Sequence, residues 1–275
     1  HEMSRGNWHY ARCDIGNFRQ LERIFRLAGP FDYVYNAAAE FGRWNGEDYY
    51  EKVWQSNAIG TKNIIKLQEQ LGFRLIHFSS SEVYGDYDDV MQEDVMNKVV
   101  IKQMNDYAMS KWVNEMQIRN SIIQHNTETV IVRLFNTYGP GEWYHPYRSV
   151  NCKFCYHALH KMPVVVYKGH YRTSTYLEDT CRTLSNIVDN FMPGEVYNIG
   201  GLEYHDIETL VKTIWKVTGA DKKLIEYKDS EILTTKSKKV DVQKAVDHLD
   251  HKLTVKLEDG VRSTIDWMKD YYKIK

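Results

Sequence analysis

The sequence predicts an α/β fold in which a doubly wound parallel sheet is followed by a smaller mixed C-terminal domain. Short apolar segments typical of buried strands alternate with helical patterns, and crossovers of about a dozen residues join parallel strands. After Gly139-Pro140 the sequence pattern changes: Tyr, His and Trp become frequent, and predicted helices alternate with irregular stretches. We therefore place the first domain at residues 1–138 and the second at residues 139–275, with residues 176–200 returning to the first.

Composition and charge exclude several classes of protein. Of the 275 residues, 43% are hydrophobic and 27% charged, which is typical of a globular chain. The 36 Lys and Arg against 37 Asp and Glu leave a net charge of −1, which argues against nucleic acid or an anionic membrane as the main partner. No apolar run approaches the roughly 20 residues that span a bilayer, and the N-terminus does not resemble a signal peptide. Four cysteines do not indicate a disulfide framework, so we expect a cytoplasmic protein.

The first elements predicted along the chain are two strands and two helices. Trp8–Arg12 is typical of a strand, and the amphipathic helix after it ends at Gly29-Pro30. A second strand over Tyr33-Val34-Tyr35 runs into Asn36-Ala37-Ala38-Ala39, whose small side chains allow a flat ligand to approach the backbone. A helical pattern then covers about residues 48–70.

The remaining elements follow from the same periodicities. Arg74–Ser79 and Thr129–Phe135 are short and mostly apolar, as expected of strands buried in a parallel sheet, and a helix is predicted between them over about residues 102–120. In the second domain, apolar residues at helical spacing predict helices over about residues 206–217 and in the final segment. The apolar side chains of the final helix are Leu257, Val261, Ile265 and Met268.

Three segments carry side chains suited to chemistry. Ser80-Ser81-Glu82 follows a strand, where parallel sheets bind ligands; continued extended geometry would direct Ser81 away from the other two. Tyr107 and Lys111 are four apart on the next helix and share a face, so the ammonium lowers the expected pKa of the phenol. Asn136 follows the next strand. A Tyr-x3-Lys pair or a serine run is common alone, whereas the three together are specific.

The set resembles the extended short-chain dehydrogenase/reductases, the group of NAD-dependent nucleotide-sugar epimerases, dehydratases and decarboxylases with a Rossmann-like fold. The resemblance covers nearly the whole chain. Besides the three segments, it rests on these motifs: Asp14-Ile15, Asn36-Ala37-Ala38-Ala39, Asn57-Ala58-Ile59-Gly60-Thr61, Arg172 seven residues before Asp179, and Tyr197-Asn198-Ile199-Gly200.

The resemblance implies a mechanism. Tyr107 would remove the proton of the sugar 4-hydroxyl while hydride passes to NAD, Ser80 would bind the same oxygen, and Lys111 would hold the nicotinamide ribose. The implied NAD-binding residues are Asp14, Ile15, Asn36, Ala37, Ala38, Asn57, Tyr107 and Lys111. The implied nucleotide-sugar contacts are Glu82, Asn136, Val166, Tyr167 and Arg172, the last of which would pair with the diphosphate.

The sequence departs from this family at its N-terminus. Family members begin with a strand, a Gly-x-x-Gly-x-x-Gly turn and a helix that together cradle the pyrophosphate. This sequence opens at His1-Glu2-Met3, just before what resembles the third strand, and its first 140 residues hold no Gly-x-x-Gly. Either the given chain has lost that unit or it is a relic that binds NAD poorly. We favour loss, because the catalytic set is intact.

The branch of the family depends on Ser81 and Glu82. A carboxylate beside C5 of the sugar could remove its proton before loss of the 6-hydroxyl, which is the chemistry of a 4,6-dehydratase. However, dTDP-glucose 4,6-dehydratases carry Asp where this chain has Ser81, and hydroxyl-Ser-Glu is similar to GDP-mannose 4,6-dehydratases and UDP-glucuronate decarboxylases. Glu82 could also only cap a turn. We order the reactions as 4,6-dehydration, UDP-glucuronate decarboxylation and 4-epimerisation.

Some features have alternative interpretations. Cys152, Cys155, His157 and His160 are metal-ligand types, but their spacing is helical and no second Cys-x2-Cys follows, so we expect no metal and assign the segment to the nucleotide pocket. The basic run Lys236–Lys239 could contact the diphosphate or be a solvated surface.

Two further expectations concern partners and class. The family resemblance implies a homodimer through helices at about 48–70 and 102–120, with Trp112 and Met116 as candidates. The competing class is a non-catalytic module that binds NAD(H) or a nucleotide sugar, against which the intact Ser80, Tyr107 and Lys111 argue. Nucleic-acid binding is excluded, because the sequence has no basic stripe.

Overall fold

The structure is a computed structural model that describes residues 3–5, 8–201 and 203–274. The strands, in chain order, are β1 (Met3–Arg5), β2 (Trp8–Tyr10), β3 (Tyr33–Asn36), β4 (Arg74–Ser80), β5 (Thr129–Leu134), β6 (Thr137–Tyr138), β7 (Val164–Tyr167), β8 (Tyr171–Thr173), β9 (Thr175–Tyr176), β10 (Val196–Ile199), β11 (Tyr204–Asp206) and β12 (Ile225–Lys228).

The helices complete the alternation that the sequence predicts. The α-helices are α1 (Phe18–Ala28), α2 (Arg43–Asp48), α3 (Tyr50–Val53), α4 (Gly60–Leu71), α5 (Val95–Lys98), α6 (Asp106–His125), α7 (Val150–Leu159), α8 (Leu177–Asp189), α9 (Ile207–Thr218), α10 (Gln243–Leu249) and α11 (Leu257–Tyr272). A π-helical turn covers Trp54–Ile59, and 3₁₀ turns cover Ser81–Tyr84 and Lys222–Leu224.

The main sheet has four strands in the order β10-β5-β4-β3. Strands β3 and β4 are parallel, with Asn36 opposite His77. A parallel sheet whose strands alternate with helices along the chain confirms the predicted α/β fold class. The carboxyl ends of β4 and β5 lead directly into the segments that contain Ser80 and Asn136, where this architecture presents ligand-binding groups.

The first predicted strand differs from its expectation. It covers only Trp8–Tyr10, and it pairs antiparallel with Met3–Arg5 in a separate two-stranded sheet. It therefore does not join the main sheet of the described residues, and its resemblance to the third strand of the family stays a prediction. The register pairs Met3 with Tyr10 and Arg5 with Trp8, so the contacts are local in the sequence and form at little cost in chain entropy.

The two long helices of the first half also differ in their limits. The pattern predicted over 48–70 is divided into α3, the π turn and α4, and α2 ends at its first residue. The last helix ends before Gly72, whose φ of 74° suits glycine. The helix predicted over 102–120 begins at Asp106 and continues to His125. Between them, Arg74–Ser80 extends the predicted strand by one residue.

The helices predicted near the C-terminus are confirmed. Helix α9 begins after Asp206, whose Oδ1 accepts the Thr209 N–H at 2.6 Å, and it ends before Gly219 in the left-handed conformation. In α11 the periodic apolar side chains are all buried and join one core with those of α7 and α9. Burial of these stripes is the main stabilisation of this region.

The chain forms two compact units. The first consists of His1–Ser79, Asp106–Ile131 and Met192–Glu195, and the second of Ser80–Asn105, Val132–Phe191 and Val196–Lys275. The domain boundary proposed at residue 138 stays a prediction. No helix in the described part of the chain combines the length and the apolar character needed to cross a membrane.

Candidate active site

Helix α6 brings Tyr107 and Lys111 together in the first unit. The Lys111 Nζ lies 6.0 Å from the centroid of the Tyr107 ring. The Lys111 side chain is only 4% exposed, and its Nζ donates a hydrogen bond of 2.7 Å to the Phe78 carbonyl near the end of β4. The predicted Tyr-x3-Lys pair therefore has a fixed ammonium beside the phenol ring.

The buried position of Lys111 changes its proton affinity. Burial lowers the pKa of its ammonium to about 8, against the opposing effect of the Glu115 carboxylate one turn further along the helix. Burial also keeps His77 neutral, because desolvation and the nearby Lys111 charge hold the imidazole pKa well below its ordinary value. Lys111 is thus the cation at this place.

The start of α6 is held by its neighbours. The Trp54 Nε1 donates to the Asp106 Oδ1 at 2.7 Å, and the buried Ser110 Oγ donates to the Tyr107 carbonyl at 2.8 Å. Helix α2 approaches closely, since a Cβ on Gly46 would lie 3.0 Å from the Tyr107 nitrogen. These contacts fix the backbone that carries Tyr107.

Asn57 lies in the π turn and is almost fully buried. Its Oδ1 accepts the Glu40 N–H at 2.8 Å, while its Nδ2 donates to the Glu40 carbonyl at 3.0 Å and to the Ser110 Oγ at 3.0 Å. Both amide atoms are therefore engaged within the protein. Asn57 connects the segment after β3 to α6, whereas its assignment as a cofactor ligand stays a prediction.

The residues after β3 differ in exposure. Asn36 is buried, and its Nδ2 donates to the Thr61 Oγ1 at 3.3 Å and the His77 Nδ1 at 3.2 Å. Ala37 and Ala38 are exposed. Small exposed side chains at the carboxyl end of a parallel strand permit the close approach that the sequence predicts for a flat cofactor.

Asp14 and Ile15 form a turn before α1. The Asp14 Oδ1 accepts the Gly16 N–H at 2.8 Å, and the Ile15 carbonyl accepts the Asn63 Nδ2 at 2.8 Å. Gly60 leaves room for Ile15, because a Cβ there would lie 2.6 Å from the Ile15 Cδ1. The motifs Asp14-Ile15 and Asn57–Thr61 therefore contact each other, a relation the sequence does not reveal.

The Ser80–Glu82 segment, in the second unit, is not extended. Strand β4 ends at Ser80, and Ser81–Tyr84 forms a 3₁₀ turn. The expectation that Ser80 and Glu82 project to one side of a continued strand is therefore wrong. The reason is local: the Ser80 Oγ accepts the Glu82 N–H at 3.2 Å, and such a cap starts a helical turn.

Lys238 is the main functional candidate that sequence reasoning left undecided. It is only 2% exposed, and its Nζ donates to the Ser81 Oγ at 3.2 Å and forms a short ion pair with the Glu82 Oε1. Lys236 and Lys239 of the same run are exposed. The basic run was the available signal, but nothing in it shows which lysine turns inward.

A buried polar network supports the same turn. The fully buried Arg133 donates to the Tyr84 hydroxyl at 2.8 Å and the Glu93 carbonyl at 3.0 Å. Tyr84 in turn donates to the Asn198 Oδ1 at 2.8 Å, and burial raises the pKa of its phenol to about 12. Tyr84 therefore acts as a neutral hydrogen-bonding group that anchors the end of the Ser81–Tyr84 turn.

Two predicted substrate ligands are also placed in the second unit. The buried Arg172 donates from Nη1 to the Tyr171 and Lys236 carbonyls, and from Nη2 to the Thr234 Oγ1 at 3.0 Å. Asn136 has a φ of 41°, and among the described residues its buried Oδ1 accepts no hydrogen bond. A strained backbone and an unsatisfied acceptor together are typical of a ligand-binding position.

Val166 and Tyr167, two of the predicted nucleotide-sugar contacts, lie on β7, which pairs in parallel with β12. Val166 is fully buried, whereas Tyr167 is half-buried and its ring lies 6.1 Å from that of His170. Their contact with a nucleotide stays a prediction.

The Cys and His run lies on and just after α7. Cys152 and Cys155 are buried, and burial raises the pKa of both thiols. The His157 Nδ1 contacts the Pro163 carbonyl at 2.7 Å, and His160 stacks near Tyr156. In the described ranges no three His, Cys, Asp or Glu residues are grouped so as to hold a metal.

The fold and these side chains define the class of short-chain dehydrogenase/reductase proteins. Within it, the chain belongs to the NAD dependent epimerase/dehydratase family, whose model matches residues 1–200. The match confirms the family that the motifs predicted, together with NAD as its cofactor.

Similar proteins differ in their reactions. A UDP-N-acetyl-alpha-D-glucosaminuronate decarboxylase of Bacillus cytotoxicus is 26% identical over 256 residues, which cover 90% of this chain and 79% of the relative. A dTDP-glucose 4,6-dehydratase of Neisseria meningitidis is 26% identical over 287 residues, covering 95% and 79%. Among solved structures, an epimerase from Methanothermobacter thermautotrophicus has a TM-score of 0.89 at 25% identity, covering 98% of this chain and 81% of that one.

Proposed function

We propose that this protein modifies a nucleotide-diphosphate sugar through a transient 4-keto intermediate, and that the modification is a 4,6-dehydration. The observation that carries the proposal is the Glu82 carboxylate, which follows β4 and is paired with a buried lysine. Such a pair keeps a carboxylate ionised and therefore able to accept a proton. A simple 4-epimerisation has little need of a base beside C5 of the sugar.

The residues of the first unit fit the nicotinamide ribose of NAD. The Lys111 ammonium has three N–H donors, and in the described contacts one of them binds the Phe78 carbonyl. The other two suit ribose hydroxyls, while Ala37 and Ala38 leave space at the end of β3. Bound NAD would supply the hydride acceptor for C4 of the sugar and the donor for the later return of that hydride.

The chain's own groups would handle the protons of the first step. Tyr107 accepts the proton of the sugar 4-hydroxyl, and the Lys111 charge stabilises the resulting phenolate. Ser80 accepts the Glu82 N–H through its Oγ, so its own hydroxyl proton is available for the sugar oxygen. Arg172 and Asn136 would contact the diphosphate or the sugar, because both present hydrogen-bonding groups in buried surroundings.

Glu82 would then determine the branch. The ketone at C4 acidifies the C5 proton, which the Glu82 carboxylate removes before the 6-hydroxyl departs. UDP-glucuronate decarboxylation is the second candidate, because Ser81 stands where dTDP-glucose 4,6-dehydratases carry an acid. A 4-epimerase is the third, and a non-catalytic module for NAD(H) or a nucleotide sugar is the alternative of another class.

The test is liquid chromatography that separates isomers, coupled to mass spectrometry, of nucleotide sugars after incubation with the protein and NAD. The substrates are the UDP, dTDP and GDP forms of glucose or mannose, together with UDP-glucuronate. Loss of water supports our proposal, loss of carbon dioxide indicates the decarboxylase, and an isomer of equal mass indicates the epimerase. No change of any substrate with NAD bound supports the binding module.

The matched pair of variants is Tyr107→Phe and Tyr50→Phe. We expect Tyr107→Phe to lose turnover by at least about 100-fold without loss of folding, because it removes one proton-transfer group. Tyr50 is 55% exposed, so Tyr50→Phe should turn over like the wild type. Equal turnover of the Tyr107→Phe and wild-type proteins would contradict the mechanism.

A further inference from the structure

We infer that Lys238, Ser81 and Glu82 form a closed proton-transfer circuit for the elimination of water, an inference that rests on the proposed 4,6-dehydration. Within it Lys238 is a positioning residue, since it acts through its two neighbours and not on the sugar. The circuit supplies the acid that a serine at position 81 lacks.

The geometry of the three side chains carries this inference. One ammonium, Lys238 Nζ, contacts both the Ser81 Oγ at 3.2 Å and the Glu82 Oε1. Ser81 is buried, and the Glu82 side chain is 15% exposed against 2% for Lys238. A proton can therefore pass between lysine and either partner through a direct hydrogen bond.

The backbone around Lys238 is built to hold it inside. Its N–H donates to the Tyr171 carbonyl at 3.2 Å, and the Thr173 Oγ1 donates to its carbonyl at 2.9 Å. Nearby, the Thr235 Oγ1 donates to the Gly85 carbonyl, which ties the two segments together. A lysine is costly to bury unless its charge is paired, and the Glu82 carboxylate provides that pairing here.

The elimination step balances within this circuit. The C5–H bond breaks, its proton passes to the Glu82 carboxylate, and its electron pair forms the C5–C6 double bond. The C6–O bond breaks as the departing oxygen takes the Ser81 hydroxyl proton and leaves as water. Ser81 recovers a proton from the Lys238 ammonium. The protonated Glu82 then returns a proton to the Lys238 amine, and the ion pair is restored.

The central test compares Lys238→Met, Lys238→Arg and Lys223→Met. Arginine keeps the positive charge and its pairing with Glu82, but it does not release a proton. We expect Lys238→Met and Lys238→Arg to lose water elimination by at least about 100-fold. Both Lys238 variants should still oxidise the sugar at C4, which is measured by the absorbance of the reduced cofactor. Lys223 is exposed and lies outside the proposed site, and Lys223→Met should match the wild type.

Several results would overturn the circuit. A Lys238→Arg protein that eliminates water at the wild-type rate would show that the positive charge alone suffices. An equal loss of C4 oxidation and water elimination in the Lys238 variants would show a general structural defect. Ser81→Ala, a small change, should give the same selective loss of elimination as Lys238→Met. A wild-type protein that eliminates no water from any sugar overturns the proposed function instead, which keeps the two failures distinct.

The ion pair itself has a readout that is independent of activity. Thermal unfolding of Glu82→Gln, Lys238→Met and the double variant forms a double-mutant cycle. Each single change removes the ion-pair partner of a side chain that is at most 15% exposed, so we expect the double variant to lose less thermal stability than the sum of the two single losses. Additive losses would contradict the pairing on which the circuit depends.

Discussion

Lys111 contributes a charge at the expense of stability. Its ammonium is buried, and its pKa is lowered to about 8 from an ordinary value of 10.5. Between these two values the unfolded chain binds more protons than the folded one, so stability rises with pH across this interval. Below the folded pKa the full penalty remains, and above the unfolded pKa it disappears.

We therefore predict that the free energy of unfolding rises by about 3 kcal/mol between pH 8 and 10.5 through Lys111 alone, since one pKa unit corresponds to about 1.4 kcal/mol. The measurement is urea unfolding of the wild type and Lys111→Met across that range. The difference between the two proteins should change in favour of the wild type as the pH increases. Lys98→Met, at an exposed lysine, serves as the control. A difference independent of pH would show that Lys111 keeps an ordinary pKa.

Helix α11 packs closely against two tyrosines at Gly260. A Cβ at this position would lie 2.3 Å from the Tyr138 hydroxyl oxygen and 2.8 Å from the Tyr176 Cδ2. The Tyr138 hydroxyl also donates to the Leu257 carbonyl at 3.3 Å in the first turn of the same helix. The glycine therefore sets the distance between α11 and the strands β6 and β9.

We predict that Gly260→Ala lowers the free energy of unfolding by about 1–3 kcal/mol, the usual cost of overpacking, although alanine favours helix formation. Ser263→Ala, at an exposed site three residues further along, should be neutral or stabilising. Urea unfolding of both variants measures the contrast. A Gly260→Ala protein as stable as Ser263→Ala would show that α11 can shift freely.

The elements differ in how well the sequence predicts them. Helices α9 and α11 follow from apolar periodicity, because each buries one stripe and has clear end signals. The helices within residues 48–70 do not follow from apolar periodicity, because a π turn at Trp54–Ile59 shifts that periodicity. The turn after Ser80 depends on one side-chain cap, which the extended pattern does not show.

The candidate site was predictable in part. The sequence places Tyr107 near Lys111 through local helical spacing, and the structure confirms that arrangement. The contact of Lys238 with Glu82 joins residues 156 positions apart, and no local pattern encodes it. Local chemistry was therefore visible in the sequence, whereas the partner of the key carboxylate required the tertiary fold.

At the scale of the whole molecule, the homodimer stays a prediction. Helix α6 presents Met116, which is 41% exposed and lies on the segment expected at the interface. We expect Met116→Lys to convert a dimer to monomers, because a charge is costly in an apolar interface. Met192→Lys, at a methionine 42% exposed outside both helices, should leave the dimer intact. Sedimentation velocity measures both. Equal behaviour of the two variants would exclude this interface.

The ties between residues 80–105 and 233–241 bear on how the protein matures. Glu82 meets Lys238 across 156 positions, and Gly85 meets Thr235 across 150. Because synthesis proceeds from the N-terminus, the Ser81–Tyr84 turn is made long before the lysine that neutralises its carboxylate. Closing so long a loop is slow and entropically costly. A nascent chain that ends before Lys238 therefore cannot complete the segment proposed to determine the reaction.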